Sequence, residues 1–413
     1  MTQLTASCHC KHFSYDIKIP QDVSFPLGET TCSCDACRHR TGQICILTLS
    51  AKLTRSIPSP ADLQNLSRYD QRCGFAIDQE TIPAEEGESG DGDEKGGLNK
   101  YSSNTTCGGT IITSFFCGIC GSKIYLQVAS LTGKVEIGMW MLGCLDRLFV
   151  EIGGQEVPIV DMKGHHFLDD TVDGGISNIW KTSNGKQLKK YHDGLIEWVP
   201  HQNIPKEIKE DEMLNLHCKC KAFDVYVRRP RPSLPLPEGC YWYQQPNNED
   251  GVPQRYMASW CACDSCRLIT GSSLPSHPWV QIPFVDIFTS PSPSSPPFIK
   301  GIMTSSTQIP GLNLYHSSPS NPGISRYHCS TCGASIMYFD DKEDFKASFA
   351  VGLNDSKYGV MNTNWFSWWT GDDGVDWPII NERANGERRW GKGTLDDFED
   401  GLIGWGKSIG QRK

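Results

Sequence analysis

Apolar residues along this chain fall into short alternating or β-branched stretches rather than long helical stripes. "HFSYDI" (12–17), "SKIYLQV" (122–128), "FDVYV" (223–227), "ASIMYF" (334–339) and "KASFAVGL" (346–353) have the period or the Val, Ile and aromatic content of strands, with Gly, Pro, Asn and Ser between them. No segment keeps a 3.6-residue period over three turns, so the expected fold class is mainly β. One short helix is expected at "CDACRHRTG" (34–42), with Asp35 near its N-terminus. The run "NWFSWWTGDDG" (364–374) reads as core and turn.

The pattern occurs twice. "LTASCHCKHFSYD" (4–16) matches "LNLHCKCKAFDVY" (214–226), "TCSCDACRHRTG" (31–42) matches "WCACDSCRLITG" (260–271), and "FFCGICGSKIYL" (115–126) matches "YHCSTCGASIMYF" (327–339). Three motifs in one order indicate an internal duplication, with one domain over 1–191, a linker over 192–212 and a second domain over 213–413. The intervals differ where composition marks loops. Residues 79–97 are too acidic and too poor in apolar residues to fold, and 228–239 and 290–298 are dense in proline.

Charge and composition narrow the chemistry. A net charge of −9 repels phosphate backbones, and only Arg228–Arg231 and the C-terminal Gln411–Lys413 are locally basic, so no nucleic-acid partner is expected. The N-terminus lacks the features of a secretory signal and no apolar run spans a bilayer, which places the expected site of action in the cytoplasm or nucleus, with no membrane partner. Nineteen cysteines in a reducing compartment point to metal binding rather than to a disulfide framework.

Cysteine spacing divides the thiols into two kinds of set. A CxC pair on an extended strand projects two thiols from one face, and a CxxC turn followed by glycine does the same. Together they give the four sulfurs of a closed tetrahedral zinc site: Cys8, Cys10, Cys117 and Cys120 in the first half, and Cys218, Cys220, Cys329 and Cys332 in the second. A thioredoxin-like redox pair is the alternative for either CxxC, but no βαβ context surrounds it. The middle motif leaves Cys32, Cys34 and Cys37, and likewise Cys261, Cys263 and Cys266, as sets of three. Three thiolates around zinc leave one position for water or for a substrate thiol, so about four zinc ions are expected per chain, one structural and one open in each half. A fourth protein ligand is the alternative, drawn from Cys45, Cys73, Cys107, Cys144, His39, His165 or His166 in one half and Cys240, His277, His316 or His328 in the other.

The order CxC, CxCxxC, CxxC, with "CRHRTG" or "CRLITG" after the middle motif, resembles the glutathione-dependent formaldehyde-activating family, which also contains centromere protein V. The resemblance covers residues 4–180 and 214–380. It implies tandem zinc-stapled, stacked-sheet, tent-like domains. It also implies carbon–sulfur lyase chemistry on a glutathione–aldehyde adduct of the S-hydroxymethylglutathione type, or on a related small thiol plus aldehyde. A non-catalytic zinc-binding interaction module is the alternative the same family allows. Glutathione carries two carboxylates, for which Arg38, His39 and Arg40 in the first half and Arg267 in the second are the expected binding residues, favouring the first half as the glutathione site. "GERRWGKGT" (386–394) lacks the Ser or Thr of a phosphate loop, and "DDTVDGG" (169–175) lacks the third and closing ligands of a calcium loop.

Overall fold

The computed structural model describes residues 3–18, 23–50, 98–104, 110–130, 135–192, 196–201, 211–230, 255–292, 294–300, 303–304, 306–316, 323–343, 345–355, 357–370 and 379–410. The acidic segment 79–97 and most of the expected linker lie outside them. The chain is mainly β, as its apolar pattern predicts, and each of the five quoted strand segments contributes a strand.

In the first half the strands that build the two cysteine sets and the central sheet are β1 (Gln3–Ser7), β2 (Ser14–Lys18), β3 (Leu27–Cys32), β4 (Thr48–Ser50), β5 (Leu98–Asn104), β6 (Thr110–Cys117), β7 (Lys123–Ser130), β8 (Val135–Met141) and β9 (Val160–His166), beside shorter hairpins. In the second they are β10 (Leu214–His217), β11 (Asp224–Val227), β12 (Tyr256–Cys261), β13 (His277–Pro283), β14 (Leu312–His316), β15 (Ile324–Cys329), β16 (Ser335–Asp340), β17 (Lys346–Ala350), β18 (Phe366–Trp368) and β19 (Ile380–Asn381). The spatial order β4-β8-β7-β6-β5 returns as β13-β17-β16-β15-β14, antiparallel throughout. In each half the strand ending in the first cysteine of the middle motif is flanked by a parallel partner, β9 beside β3 and β18 and β19 beside β12.

Strands such as β6, β7 and β17 are buried over most of their length, so both faces of the central sheets are covered. One apolar core runs through both halves and holds Trp140, Trp180, Trp260 and Trp365 fully buried. The halves meet about an approximate twofold axis. Gly143 N–H donates to Gly271 O at 2.8 Å, and the equivalent Gly352 N–H donates to Gly42 O at 2.9 Å. A Cβ on Gly42 would lie 2.2 Å from Ser335 O, and one on Gly271 would lie 2.2 Å from Lys123 O. Such self-complementary contacts are those of a twofold dimer, here within one chain.

The middle motif forms the expected short helix in the first half, α1 (Asp35–Thr41), and its copy forms the equivalent helix in the second, α2 (Asp264–Thr270). Two further helices, α3 (Arg383–Trp390) and α4 (Lys392–Ser408), depart from the expectation that no long helix exists. Leu395, Phe398, Leu402 and Trp405 form the buried stripe of α4, and Phe398 packs on both Trp260 and Trp180. Glycines at 401, 404 and 406 hide this helix from propensity, but Gly401 is required by packing: a Cβ there would lie 1.9 Å from Ile179 O. "GERRWGKGT" spans the junction of α3 and α4, and "DDTVDGG" forms 3-10 turns in which the half-buried Asp173 accepts hydrogen bonds from the Gly175, Met361 and Asn362 backbone.

Candidate metal centres

The four-sulfur sets assemble as the spacing predicts, though by a different local route. Cys8 and Cys10 do not share a strand face; they sit in the tight turn after β1, where Cys8 N–H donates to Phe13 O and Phe13 N–H donates to Cys8 Sγ at 3.2 Å. Cys218 and Cys220 occupy the same turn after β10. In both, the residue after the second cysteine, Lys11 or Lys221, has φ of 61°, which closes the loop. The CxxC turns begin at the last residue of β6 and of β15, where Gly121 N–H and Gly333 N–H donate to Cys117 O and Cys329 O. Both glycines have positive φ, 74° and 67°, as the sequence requires.

The sulfurs of each set lie within 4.8 Å of one another, and the closest pairs are separated by 3.4 Å (Cys8–Cys10), 3.6 Å (Cys10–Cys117) and 3.5 Å (Cys218–Cys220 and Cys220–Cys329). A tetrahedron with Zn–S of 2.3 Å has edges of about 3.8 Å, so the residues fit zinc with small adjustments. All sixteen described cysteines are free thiols. At these separations the sulfurs share protons: hydrogen bonds from Cys10, Cys117 and Cys120 push Cys8 far above the usual thiol range, while the hydrogen bond from Cys117 pulls Cys10 below it. A divalent cation relieves that competition by replacing the protons.

The three-sulfur sets are built by one strand end and one helix start. Cys32 and Cys261 close β3 and β12, Cys34 and Cys263 are the N-caps of α1 and α2, and Cys37 and Cys266 stand in their first turns. Cys32 Sγ lies 3.5 Å from Cys34 Sγ and 3.6 Å from Cys37 Sγ, and Cys266 N–H donates to Cys263 Sγ at 3.3 Å. The Thr-Gly that follows both motifs has one job in each: Thr41 and Thr270 hydroxyls donate to Cys37 O and Cys266 O, and Gly42 and Gly271 end the helix at φ of 78° and 68°.

Among the described residues, no fourth Cys, His, Asp or Glu atom lies within 4.8 Å of all three sulfurs of either set. Cys45 and Cys144 are buried elsewhere, and burial pushes both thiols up to about 12. His165 bonds Thr31 and Trp180 O, His277 bonds Gln43, His316 bonds Ser325, and His328 packs against Gly121 and Phe116. Cys73, Cys107 and Cys240 lie outside the described residues. His166 is the register partner of Cys32 across β9 and β3, and the corresponding partner of Cys261 is Asn381, whose Nδ2 approaches Cys261 Sγ at 4.0 Å.

The basic residues expected to hold a carboxylate-bearing substrate are used otherwise. Arg38 donates to Asn354 O at 3.2 Å and pairs with Asp35, which ties α1 to the second half. Arg267 reciprocates from α2, donating to Gly143 O and Leu145 O and pairing with Asp264. His39 donates from Nδ1 to His217 O at 2.8 Å and stacks on the His217 ring at 4.1 Å, and burial holds it well below the usual imidazole range. Arg40 donates to Tyr101 O, Ile112 O, Ser114 Oγ and Ser103 Oγ. All four side chains are buried.

Two residues beside the second set went unrecognised in the sequence. Arg326, on β15, is 8% exposed; its Nη1 lies 3.9 Å from Cys266 Sγ and its guanidinium covers the Tyr338 ring at 5.5 Å. Burial opposes its charge, but Cys266, Cys263 and Cys261 outweigh burial and hold the proton more firmly. His9, between Cys8 and Cys10, reaches across the axis, with Nε2 3.0 Å from Ser265 Oγ and Nδ1 2.8 Å from the Tyr315 hydroxyl. Its backbone N–H donates to Ser122 Oγ, which itself lies 3.1 Å from Cys120 Sγ, so the turn that carries the closed set of one half is hydrogen-bonded to the helix that carries the open set of the other. The clue was Arg326 three residues before Cys329, where the first half has Ser114 before Cys117.

A cleft of about 770 Å³ lies at the seam of the halves, bordered by Asp146, Arg147, Glu151, Asp264 and Arg388, and none of the metal-set cysteines lines it. Comparison of the chain with protein-family models, curated proteins and solved structures returned no match. No helix among the described residues is long and apolar enough to cross a membrane.

Proposed function

We propose that the chain is a zinc-dependent carbon–sulfur lyase acting on the adduct of a small thiol, such as glutathione, with an aldehyde. The observation that carries this reading is the contrast within one fold: among the described residues, two complete four-sulfur sets stand beside two sets that stop at three. The seven-cysteine order shared with the glutathione-dependent formaldehyde-activating family supports it.

Zinc held by three sulfurs supplies the electrostatic pull that favours a thiolate over a thiol as fourth partner. The three cysteines fix where that sulfur sits, and the strand-to-helix junction fixes the cysteines. In the lyase direction the adduct's hydroxyl proton passes to solvent water, the C–O bond becomes C=O, and the C–S bond breaks with its electron pair returning to sulfur. Aldehyde and thiolate are released; the synthetic direction reverses each step. The four-sulfur sets hold the turns that carry His9 and Lys219, and these turns dock on the opposite half.

Cobalt exchange tests this. The metal-loaded chain is expected to carry about four ions, and adding glutathione is expected to increase the sulfur-to-cobalt charge-transfer absorption. An unchanged spectrum with four ions bound would identify a zinc-stapled module without lyase chemistry.

A further inference from the structure

The two three-cysteine sites are copies in backbone but not in surroundings. We propose that they have divided their labour: the second-half set, Cys261, Cys263 and Cys266, receives the anionic thiol with Arg326 selecting it, whereas the first-half set serves the fold. This rests on the zinc reading above.

Three observations separate the sites. The first is a guanidinium. Three thiolates and Zn²⁺ sum to −1, and a fourth thiolate brings the total to −2, so a fixed cation beside the sulfurs favours an anionic fourth partner over water. Arg326 meets this need: its Nη1 faces Cys266 Sγ at 3.9 Å. The first half has Ser114 at this position, and its guanidinium, Arg40, comes from α1 and is committed to four oxygen acceptors.

The second is the register partner of the first cysteine. Paired residues on parallel strands project to one face. Cys32 stands beside His166, whose ring packs edge-on against Tyr191 at 4.7 Å; Cys261 stands beside Asn381, whose amide Nδ2, a hydrogen-bond donor, approaches its sulfur at 4.0 Å. The third is access, which differs at the middle cysteine: Cys34 is buried, whereas the equivalent Cys263 is partly exposed, the outer pairs Cys32 and Cys261, and Cys37 and Cys266, being alike. These differences point the same way, and opposite to the sequence expectation that the basic "CRHR" segment marks the substrate half.

The test uses the full-length cobalt-loaded chain, titrated with glutathione, in four variants: Cys37→Ser, Cys266→Ser, Arg326→Gln and Arg326→Lys. The thiol-dependent absorption change is expected to survive in Cys37→Ser and vanish in Cys266→Ser. Arg326→Gln is expected to retain its metal, to bind glutathione about tenfold or more weakly, and to need a higher pH for binding, with Arg326→Lys recovering part of the loss. Glutathione affinity and pH profile unchanged in a metal-replete Arg326→Gln would overturn the role of Arg326, and a response that follows Cys37 would overturn the division of labour. If Arg326→Gln fails to fold, the two cysteine variants still decide which half binds. The wild-type chain failing to respond with four metals bound would instead remove the lyase reading, and this inference with it.

Discussion

A buried arginine has to spend its donors somewhere, and where it does so decides what it is for. Arg38, Arg40 and Arg267 spend theirs on carbonyl and side-chain oxygens, so they hold α1 and α2 in place. The cysteines were legible because their role depends on spacing, which a sequence displays. The arginines were not, because sequence distance says nothing about which carbonyl a long side chain reaches, and Arg326 is brought to the thiols only by the β14–β15–β16 hairpins. His165 offers a separate test at this scale. Its Nε2–H donates to Trp180 O and Nδ1 accepts from the Thr31 hydroxyl, so the neutral ring is fully satisfied, and burial lowers its pKa to about 4. Because the unfolded chain takes up this proton first, stability is full above about pH 6.5 and falls by roughly 3 kcal/mol towards pH 4. Urea midpoints measured across that window are expected to fall less steeply in His165→Gln than in the parent.

Elements carry the next level of constraint. Strands were readable because β-branched and aromatic runs mark them, and α1 was readable from Asp35 near its N-terminus. The α4 helix was not, since its glycines lower helix propensity while one of them answers a contact more than two hundred positions away in sequence, at Ile179. Two substitutions separate these effects. Gly401→Ala is expected to destabilise by at least about 2 kcal/mol through overpacking, whereas Gly404→Ala, with nothing within 4 Å of the new Cβ, is expected to stabilise by up to ~1 kcal/mol. Urea unfolding of the two variants reads both signs. The turn bearing His9 makes a prediction across elements. Removing the Ser265 hydrogen bond in His9→Ala is expected to speed iodoacetamide labelling of Cys261, Cys263 and Cys266 by loosening the helix that carries them. Mass spectrometry resolves these peptides from those of the closed sets; equal rates in parent and variant would remove the link.

At the scale of the whole molecule, the repeated strand order follows from the repeated cysteine order, but the way the halves meet was not visible beforehand. Apolar periodicity predicts which face of a sheet is buried without saying against what, and the glycines that permit backbone contact look like ordinary turn formers. The α3–α4 pair then closes over both halves: Arg389 donates to Leu145 O and Asp146 O, and Trp405 packs on Trp368. Truncation before Arg383 is therefore expected to yield an unstable chain, checked by its thermal unfolding against the full-length protein.

The twofold seam has a further consequence for how such a chain can change. In a dimer of identical subunits a substitution near the axis appears twice and must suit both sides at once, so Ser114 and Arg326 could not differ. Joining the subunits removes that restriction. Each position now faces a neighbour that is free to be something else, and one copy can keep the architecture in place while the other explores chemistry.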